Sequence, residues 1–179
     1  MHRHRSRVPS SWITHYAGLI AEGGHVLDLA CGGGRHTRYL RGQGLRVTAI
    51  DIETSGLADL ADDPLVEIVE MDLERPGAEP LSGRRFDAVV VTDYLFRPLL
   101  VPLMDCLLPG GVFLYETFAV GNERFGRPRN PDFLLRRGEL LALAEGRLAV
   151  VAYEHRTVPP PNPRIVQHLC ARKPTKPAM

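Results

Sequence analysis

The sequence predicts an α/β fold built on a doubly wound, seven-stranded sheet, mostly parallel with an antiparallel last strand. Three observations carry that expectation. Apolar runs of strand length alternate with helical segments through the first two thirds of the chain, the pattern of parallel strands joined by crossovers. Two runs, "HVLDLA" (25–30) and "FDAVVVTDYL" (86–95), are almost continuously apolar, as in strands covered on both faces. The last two runs, "RLAVVAYEHRTV" and "RIVQHLCARK", are joined by "PPPNP", which has no room for a crossover helix, so they pair antiparallel at one edge.

Each element follows from local chemistry. Ser10 or Ser11 can cap a helix that carries Trp12, Ile13, Tyr16, Ala17 and Ile20 at helical spacing and ends at Gly23-Gly24. The first strand runs into "CGGGRH", and a short helix spans Arg35 to Arg41 before Gly42 and Gly44 stop it. "LRVTAID" is the second strand, a weak helix covers Leu57 to Ala61, and "LVEIVEMD" is the third strand. "LERPGAEPLSGRR" is too rich in proline and glycine for a helix and reads as a loop. After the fourth strand, "RPLLVPLMDCLL" is helical with Pro102 as a possible kink, and "PGG" turns the chain into the fifth strand, "VFLYETF". An irregular stretch, "AVGNERFGRPRNPDFLLR", precedes a helix from Gly138 to Ala144.

Bulk properties narrow the function classes. A chain of 179 residues is expected to form one domain, with residues 1–9 as a flexible basic tail. A net charge of +1 argues against a dedicated nucleic-acid binder, whose footprint on phosphates needs a clear basic excess. Cys31, Cys106 and Cys170 are odd in number, far apart and form no CxxC pair, which suits reduced thiols in a cytoplasmic protein. No apolar stretch approaches the roughly 20 residues of a membrane span, and "MHRHRSRVPSSW" has no signal-type apolar region. His2 and His4 have no third ligand nearby and read as part of a solvated tail, so no metal site is expected.

In such a sheet, ligands sit beyond the carboxyl ends of the strands, where the strand order reverses. Gly32, Gly33 and Gly34 follow the first strand at that place, and bare main chain there can approach an anionic or polar ligand at a helix start. Asp51 ends the second strand, where a carboxylate can take both hydroxyls of a ribose. These features suit either a dinucleotide or another adenosine-bearing cofactor. A dinucleotide turn beginning at Gly32 needs a small residue at position 37, where Thr37 stands.

The stretch reads Asp28-x-Ala30-x-Gly32-x-Gly34. With Asp51 and the later "MDLE", the chain resembles the class I S-adenosylmethionine-dependent methyltransferases, whose sheet is Rossmann-like, from Ser10 to about Lys173. Ala30 replaces the usual first glycine, with no loss of binding expected. The resemblance implies roles for particular residues. Asp28 would orient the methionine end of S-adenosyl-L-methionine, through its ammonium or an ordered water. Ala30, Cys31, Gly32 and Gly34 would bring main chain against that end, and Arg35 would meet its carboxylate or stand as an ordinary first-turn residue. Asp51 would hold the ribose, Ile52 the adenine face, Asp72 the adenine amino group and the Leu73 backbone the ring. Thr92 would supply backbone contacts near the amino-acid moiety.

A sulfonium is already activated, so the fold need not specify an acid. His36, Tyr94 and Glu116 are candidate bases because the strand ends or the glycine turn point them toward the cleft, with a polar rim as the alternative. The fourth strand ends Thr92-Asp93-Tyr94-Leu95-Phe96 and lacks the Asn/Asp-Pro-Pro-aromatic device of many amino methylases, which disfavours a planar exocyclic amine. Residues 118–137 are the expected substrate-side loop, with Phe118, Phe125 and Phe133 as pocket walls and Arg124, Arg127 and Arg129 for an anion. Size and this segment also resemble the small bacterial, tellurite-resistance-like group. The expected partner is a small-molecule acceptor. The alternatives are an RNA or protein acceptor gripped by the loop and by Arg3, Arg5 and Arg7, or a cofactor-binding module without catalysis.

Overall fold

A computed structural model describes residues 8–175. The tail residues His2, Arg3, His4, Arg5 and Arg7 lie outside the described residues. The sheet comprises β1 (His25–Leu29), β2 (Arg46–Asp51), β3 (Val66–Glu70), β4 (Phe86–Thr92), β5 (Leu107–Phe118), β6 (Ala149–Val158) and β7 (Arg164–Arg172). Its order is β3-β2-β1-β4-β5-β7-β6. Pairs from β3 through β5 are parallel, and β7 runs antiparallel to both β5 and β6. The last strand therefore slots between β5 and β6 rather than extending the edge. From β1 the chain steps outward to β2 and β3, then returns to lay β4 on the other side of β1. That reversal is the switch point where the cleft opens.

Among the described residues, four α-helices cover the two faces: α1 (Ser11–Tyr16), α2 (Arg35–Gly42), α3 (Arg97–Asp105) and α4 (Glu139–Ala144). The side-chain period of two along the strands divides the core. On β4, Ala88 and Val90 pack with Trp12, Ile13 and Leu40 under α1 and α2. Val89 and Val91 pack with Leu99, Leu103 and Leu140 under α3 and α4. The same parity sends Val26 and Asp28 of β1 to the α2 face, which puts an acid in a core layer. Tyr115 and Phe113 are buried in the opposite layer, each contributing on the order of 2–3 kcal/mol by the area it removes from water.

Several local expectations change. Ser10 is the N-cap of α1, its hydroxyl accepting from Trp12 N–H at 3.1 Å, but the α-helix gives way after Tyr16 to a 3-10 turn at Ala17–Leu19. The weak helix around Leu57 is a 3-10 segment, Ser55–Leu60. β5 begins at Leu107 and absorbs "PGG", because Leu107 already pairs with Phe86 and a bulge restores register at Val112 opposite Ala88. Residues 73–85 form turns without a helix, as the composition requires. No helix among the described residues is long and apolar enough to cross a membrane. All three cysteines are buried and none is in a disulfide.

Candidate functional site

A cleft of about 2370 Å³ opens at the carboxyl ends of β1, β2 and β4. It exceeds the usual single-ligand range of roughly 300–1,000 Å³, leaving room for two ligands side by side. The turn after β1 brings Ala30, Cys31, Gly32 and Arg35 to its wall; β2 brings Asp51 and Ile52; the segment after β3 brings Asp72 and Leu73; β4 brings Thr92. Asp28 and Gly34, both predicted to meet the ligand, do not line the cleft.

The turn is built by its own hydrogen bonds. Asp51 Oδ2 accepts from Gly32 N–H at 2.7 Å, and its Oδ1 accepts from Glu53 N–H at 3.1 Å. The Gly32 N–H is therefore committed within the protein. Each Asp51 oxygen keeps a further lone pair for a hydroxyl donor. Gly34 caps α2 at φ 75°, and a Cβ there would overlap Leu57 Cδ2. Ala30 sits at φ 53°, a left-handed conformation that glycine adopts without strain. That geometry is the physical reason for a glycine at this position, and alanine carries the strain here. Beyond β2, Ile52 is 64% exposed, a large aliphatic surface facing the cleft. Asp72 is exposed at the rim, its Oδ1 accepting from Glu74 N–H at 3.0 Å.

Asp28 is 1% exposed. Its Oδ2 accepts from the Thr37 hydroxyl at 2.6 Å, and its Oδ1 has no partner. Burial pushes the carboxyl up to about 7, against the opposing effect of the Thr37 hydrogen bond. Thr37, which argues from the sequence against a dinucleotide turn, thus has a positive role that spacing did not reveal. The signal was present: position 37 lies in the first turn of α2, on the face laid over β1.

Two of the three candidate bases are structural. His36 is buried, its Nε2 accepting from Ser10 N–H at 3.0 Å and its Nδ1 lying 3.3 Å from Thr92 Oγ1. Burial, with Arg35 nearby, pushes its pKa down to about 3, so the ring is neutral and its lone pair is spoken for. Glu116 Oε2 accepts from Ser10 Oγ at 2.5 Å and lies 3.8 Å from His168 Nε2. Burial raises its pKa. Neither residue lines the cleft. Ser10, 26 residues from His36 and 106 from Glu116, ties them together. Tyr94 does line the cleft; its Oη is buried without a hydrogen-bond partner, and burial together with the Glu74, Asp72 and Asp51 carboxylates raises its pKa.

Arg35 crosses the cleft mouth to Asp93 at 3.1 Å, and Asp93 holds a left-handed φ of 56°. The substrate-side loop divides. Phe118, Phe133, Arg127 and Arg129 line the cleft, whereas Phe125 and Arg124 do not; there the guanidinium lies 5.8 Å from the ring centroid. Among the described residues, no group of three His, Cys, Asp or Glu side chains is placed to hold a metal ion.

Comparison with known proteins bears on this geometry. Residues 26–111 match a family model described as a methyltransferase domain. Over 101 residues the chain is 36% identical to malonyl-acyl-carrier-protein O-methyltransferase of Enterobacter lignolyticus (strain SCF1), covering 52% of this chain and 39% of that protein. The chain thus spans about two fifths of the length of that relative. The crystal structure of TehB from Haemophilus influenzae superposes with a TM-score of 0.72 at 20% identity, over 90% of this chain and 61% of that one. A Burkholderia thailandensis 1,6-didemethyltoxoflavin-N1-methyltransferase, solved with bound 1,6-didemethyltoxoflavin and S-adenosylhomocysteine, superposes with a TM-score of 0.63 at 24% identity, over 91% of this chain and 75% of that one. The family match starts in β1, runs through the glycine turn and ends inside β5, so just under half of the chain, including the strands that build the cleft, is similar to a methyltransferase domain.

Proposed function

We propose that the protein transfers the methyl group of S-adenosylmethionine to a small-molecule nucleophile by in-line displacement, in the cytoplasm. The observation that carries this reading is the unpartnered Asp28 Oδ1, buried directly under the glycine turn at the switch point. A buried carboxylate oxygen without a donor is costly, and a ligand ammonium or its bound water would satisfy it. The other groups fit the same cofactor. Asp51 has lone pairs left for ribose hydroxyls, Ile52 offers an apolar platform for adenine, and Asp72 and the Leu73 backbone stand where the ring edge would lie. Ala30, Cys31 and Gly32 bring the main chain close to the methionine end, with Arg35 and Thr92 beside it, and Gly34 shapes the turn from behind them.

When bound, the cofactor supplies an electrophilic methyl group whose departure leaves a neutral thioether. The protein then has to hold the nucleophile in line at near-attack distance and exclude water. A base is required only for a nucleophile that is protonated at working pH. His36 and Glu116 are committed to Ser10, and the Tyr94 hydroxyl is held protonated, so Tyr94 acts as a hydrogen-bond donor. These constraints favour acceptors that already carry a free lone pair at neutral pH. The apolar walls at Phe118 and Phe133 favour a small organic molecule. Three buried cysteines that form no disulfide suit a reducing compartment.

A methyl-label transfer screen, run on lysate split into small-molecule, RNA and protein fractions, tests the proposal. Label is expected in the small-molecule fraction. Label confined to RNA or protein would replace the acceptor class, and cofactor binding without transfer to any fraction would remove the catalytic reading.

A further inference from the structure

The charges at the glycine turn bear on how the cofactor's amino-acid end is admitted, on the reading of the site just given. Two arginines of α2, Arg35 and Arg38, line the cleft, and they are held very differently. Arg38 is built in: it donates to both oxygens of Asp59, and to the carbonyls of Gly33 and Gly56 at 2.6 Å each. Arg35 makes one side-chain hydrogen bond among the described residues, from Nη2 to Asp93 Oδ2 at 3.1 Å. The two side chains of that pair are 23% and 51% exposed, so water can replace either partner and the pair is weak.

The backbone sets both ends of the pair. Arg35 is the first residue of α2, directly after the turn, and Asp93 directly follows β4, its N–H donating to the Glu116 carbonyl at 3.0 Å. Asp93 has φ 56°, a left-handed conformation that aspartate tolerates better than most residues. The Arg35 charge also reaches Asp28 and Glu116: burial raises both carboxyls, and the guanidinium pulls both back. Glu116 is committed to Ser10, whereas Asp28 keeps one oxygen without a partner. An α-amino acid carries its ammonium and its carboxylate on the same carbon, so a site for it needs an anion and a cation within reach of each other. Asp28 and Arg35 supply them, and Asp93 already occupies the arginine.

We propose that Asp93 is a placeholder for the cofactor's carboxylate. It neutralises Arg35 before binding; Arg35 then exchanges Asp93 for the ligand carboxylate, Asp28 takes the ammonium, and Asp93 is released toward solvent. The exchange keeps an anion on Arg35 throughout, so the guanidinium is never left bare at the cleft wall. It also has a cost. Binding must first break the Arg35–Asp93 pair, so the native carboxylate at position 93 weakens the cofactor. A carboxylate that gripped the ligand ammonium directly would act with the opposite sign.

The test is calorimetric titration of the full chain with S-adenosylhomocysteine and with its decarboxylated analogue, which keeps the ammonium. Wild type should bind S-adenosylhomocysteine roughly five- to thirtyfold tighter than the analogue. Asp93→Asn should tighten S-adenosylhomocysteine by about two- to fivefold and leave the analogue unchanged or weaker. Asp93→Gly, which suits the left-handed backbone and also lacks the carboxylate, should do the same. Arg35→Gln should bring S-adenosylhomocysteine down to about the affinity of the analogue, and adding Asp93→Asn to it should then give no gain. Asp93 variants that bind S-adenosylhomocysteine as wild type does, or less tightly, would overturn the proposal, as would an equal gain for the analogue or a gain that survives without Arg35. Wild type that binds neither ligand would bring down the cofactor reading and the proposal together, and the first titration separates that failure from the others.

Discussion

Replacing Asp28 by asparagine should flatten a pH dependence of cofactor binding that the native site is expected to have. In the free protein, burial holds this carboxyl at about 7, while the Thr37 hydroxyl at 2.6 Å partly opposes the rise. A ligand ammonium is attracted only by the ionised form. The apparent dissociation constant should then scale as 1 + 10^(7 − pH), which weakens binding roughly 25-fold between pH 7.5 and 5.5, with a limiting slope of about 1.4 kcal/mol per pH unit. His36 adds nothing in this window, because its pKa is pushed down to about 3. The assay is calorimetric titration with S-adenosylhomocysteine at several pH values, in paired buffers of different ionisation enthalpy, so that proton release is counted directly. Wild type should release close to one proton per ligand at the acid end, and Asp28→Asn none, with weaker affinity at pH 7.5. The stability consequence has the opposite sign. The folded-state pKa lies above the unfolded value, so the folded protein retains a proton between about 4 and 7 that the unfolded chain has lost. Stability therefore falls as pH rises through that range. At pH 8, Asp28→Asn should raise the stability of the ligand-free protein by up to about 4 kcal/mol while weakening the cofactor. A pH-independent wild-type affinity with no proton release would refute the reasoning.

Gly34→Ala should cost about 2–4 kcal/mol, read as a lower chemical denaturation midpoint, because φ is +75° and the new methyl overlaps Leu57 and lies 2.9 Å from Arg38 Nη1. Ala30→Gly should leave cofactor affinity intact and raise the melting temperature slightly, a gain of about 1 kcal/mol from relieving φ 53°, offset in part by chain entropy. Tyr94→Phe removes a buried hydroxyl that has no partner, so the ligand-free protein should melt at the same temperature or higher. If that hydroxyl serves a ligand, the same variant should bind cofactor or acceptor roughly five- to tenfold less well, and a lowered melting temperature would show that it has a structural partner instead.

The parts of the fold that sequence revealed are those written in local periodicity. Continuous apolar runs located β1 and β4, and the short "PPPNP" link required β7 to run against β6. The insertion of β7 between β5 and β6 was not legible, since it depends on pairs such as Tyr115 with Leu169, which no local pattern encodes. The cleft-lining positions around the glycine turn and at the ends of β2 and β4 were legible because strand parity and turn chemistry place them. His36 and Glu116 read as candidate bases for the same reason, and their real partner, Ser10, enters from the start of the chain. Sequence spacing registers a residue's own element, and a long-range hydrogen bond that disarms it leaves no trace there. Position 30 shows the converse. Alanine looks harmless by size, and only the backbone angle shows that it stands where glycine is relaxed.

Asp51 organises the turn with both carboxylate oxygens, through Gly32 and Glu53. Titrating wild type and Asp51→Ala with S-adenosylhomocysteine and with NAD is the decisive measurement. The prediction is saturable binding of S-adenosylhomocysteine to wild type, none of NAD, and a loss of about a hundredfold or more in the variant, since it lacks the carboxylate proposed to take the ribose hydroxyls and leaves two N–H groups without their acceptor. Comparable binding of NAD, or a variant that holds S-adenosylhomocysteine as tightly as wild type, would contradict it.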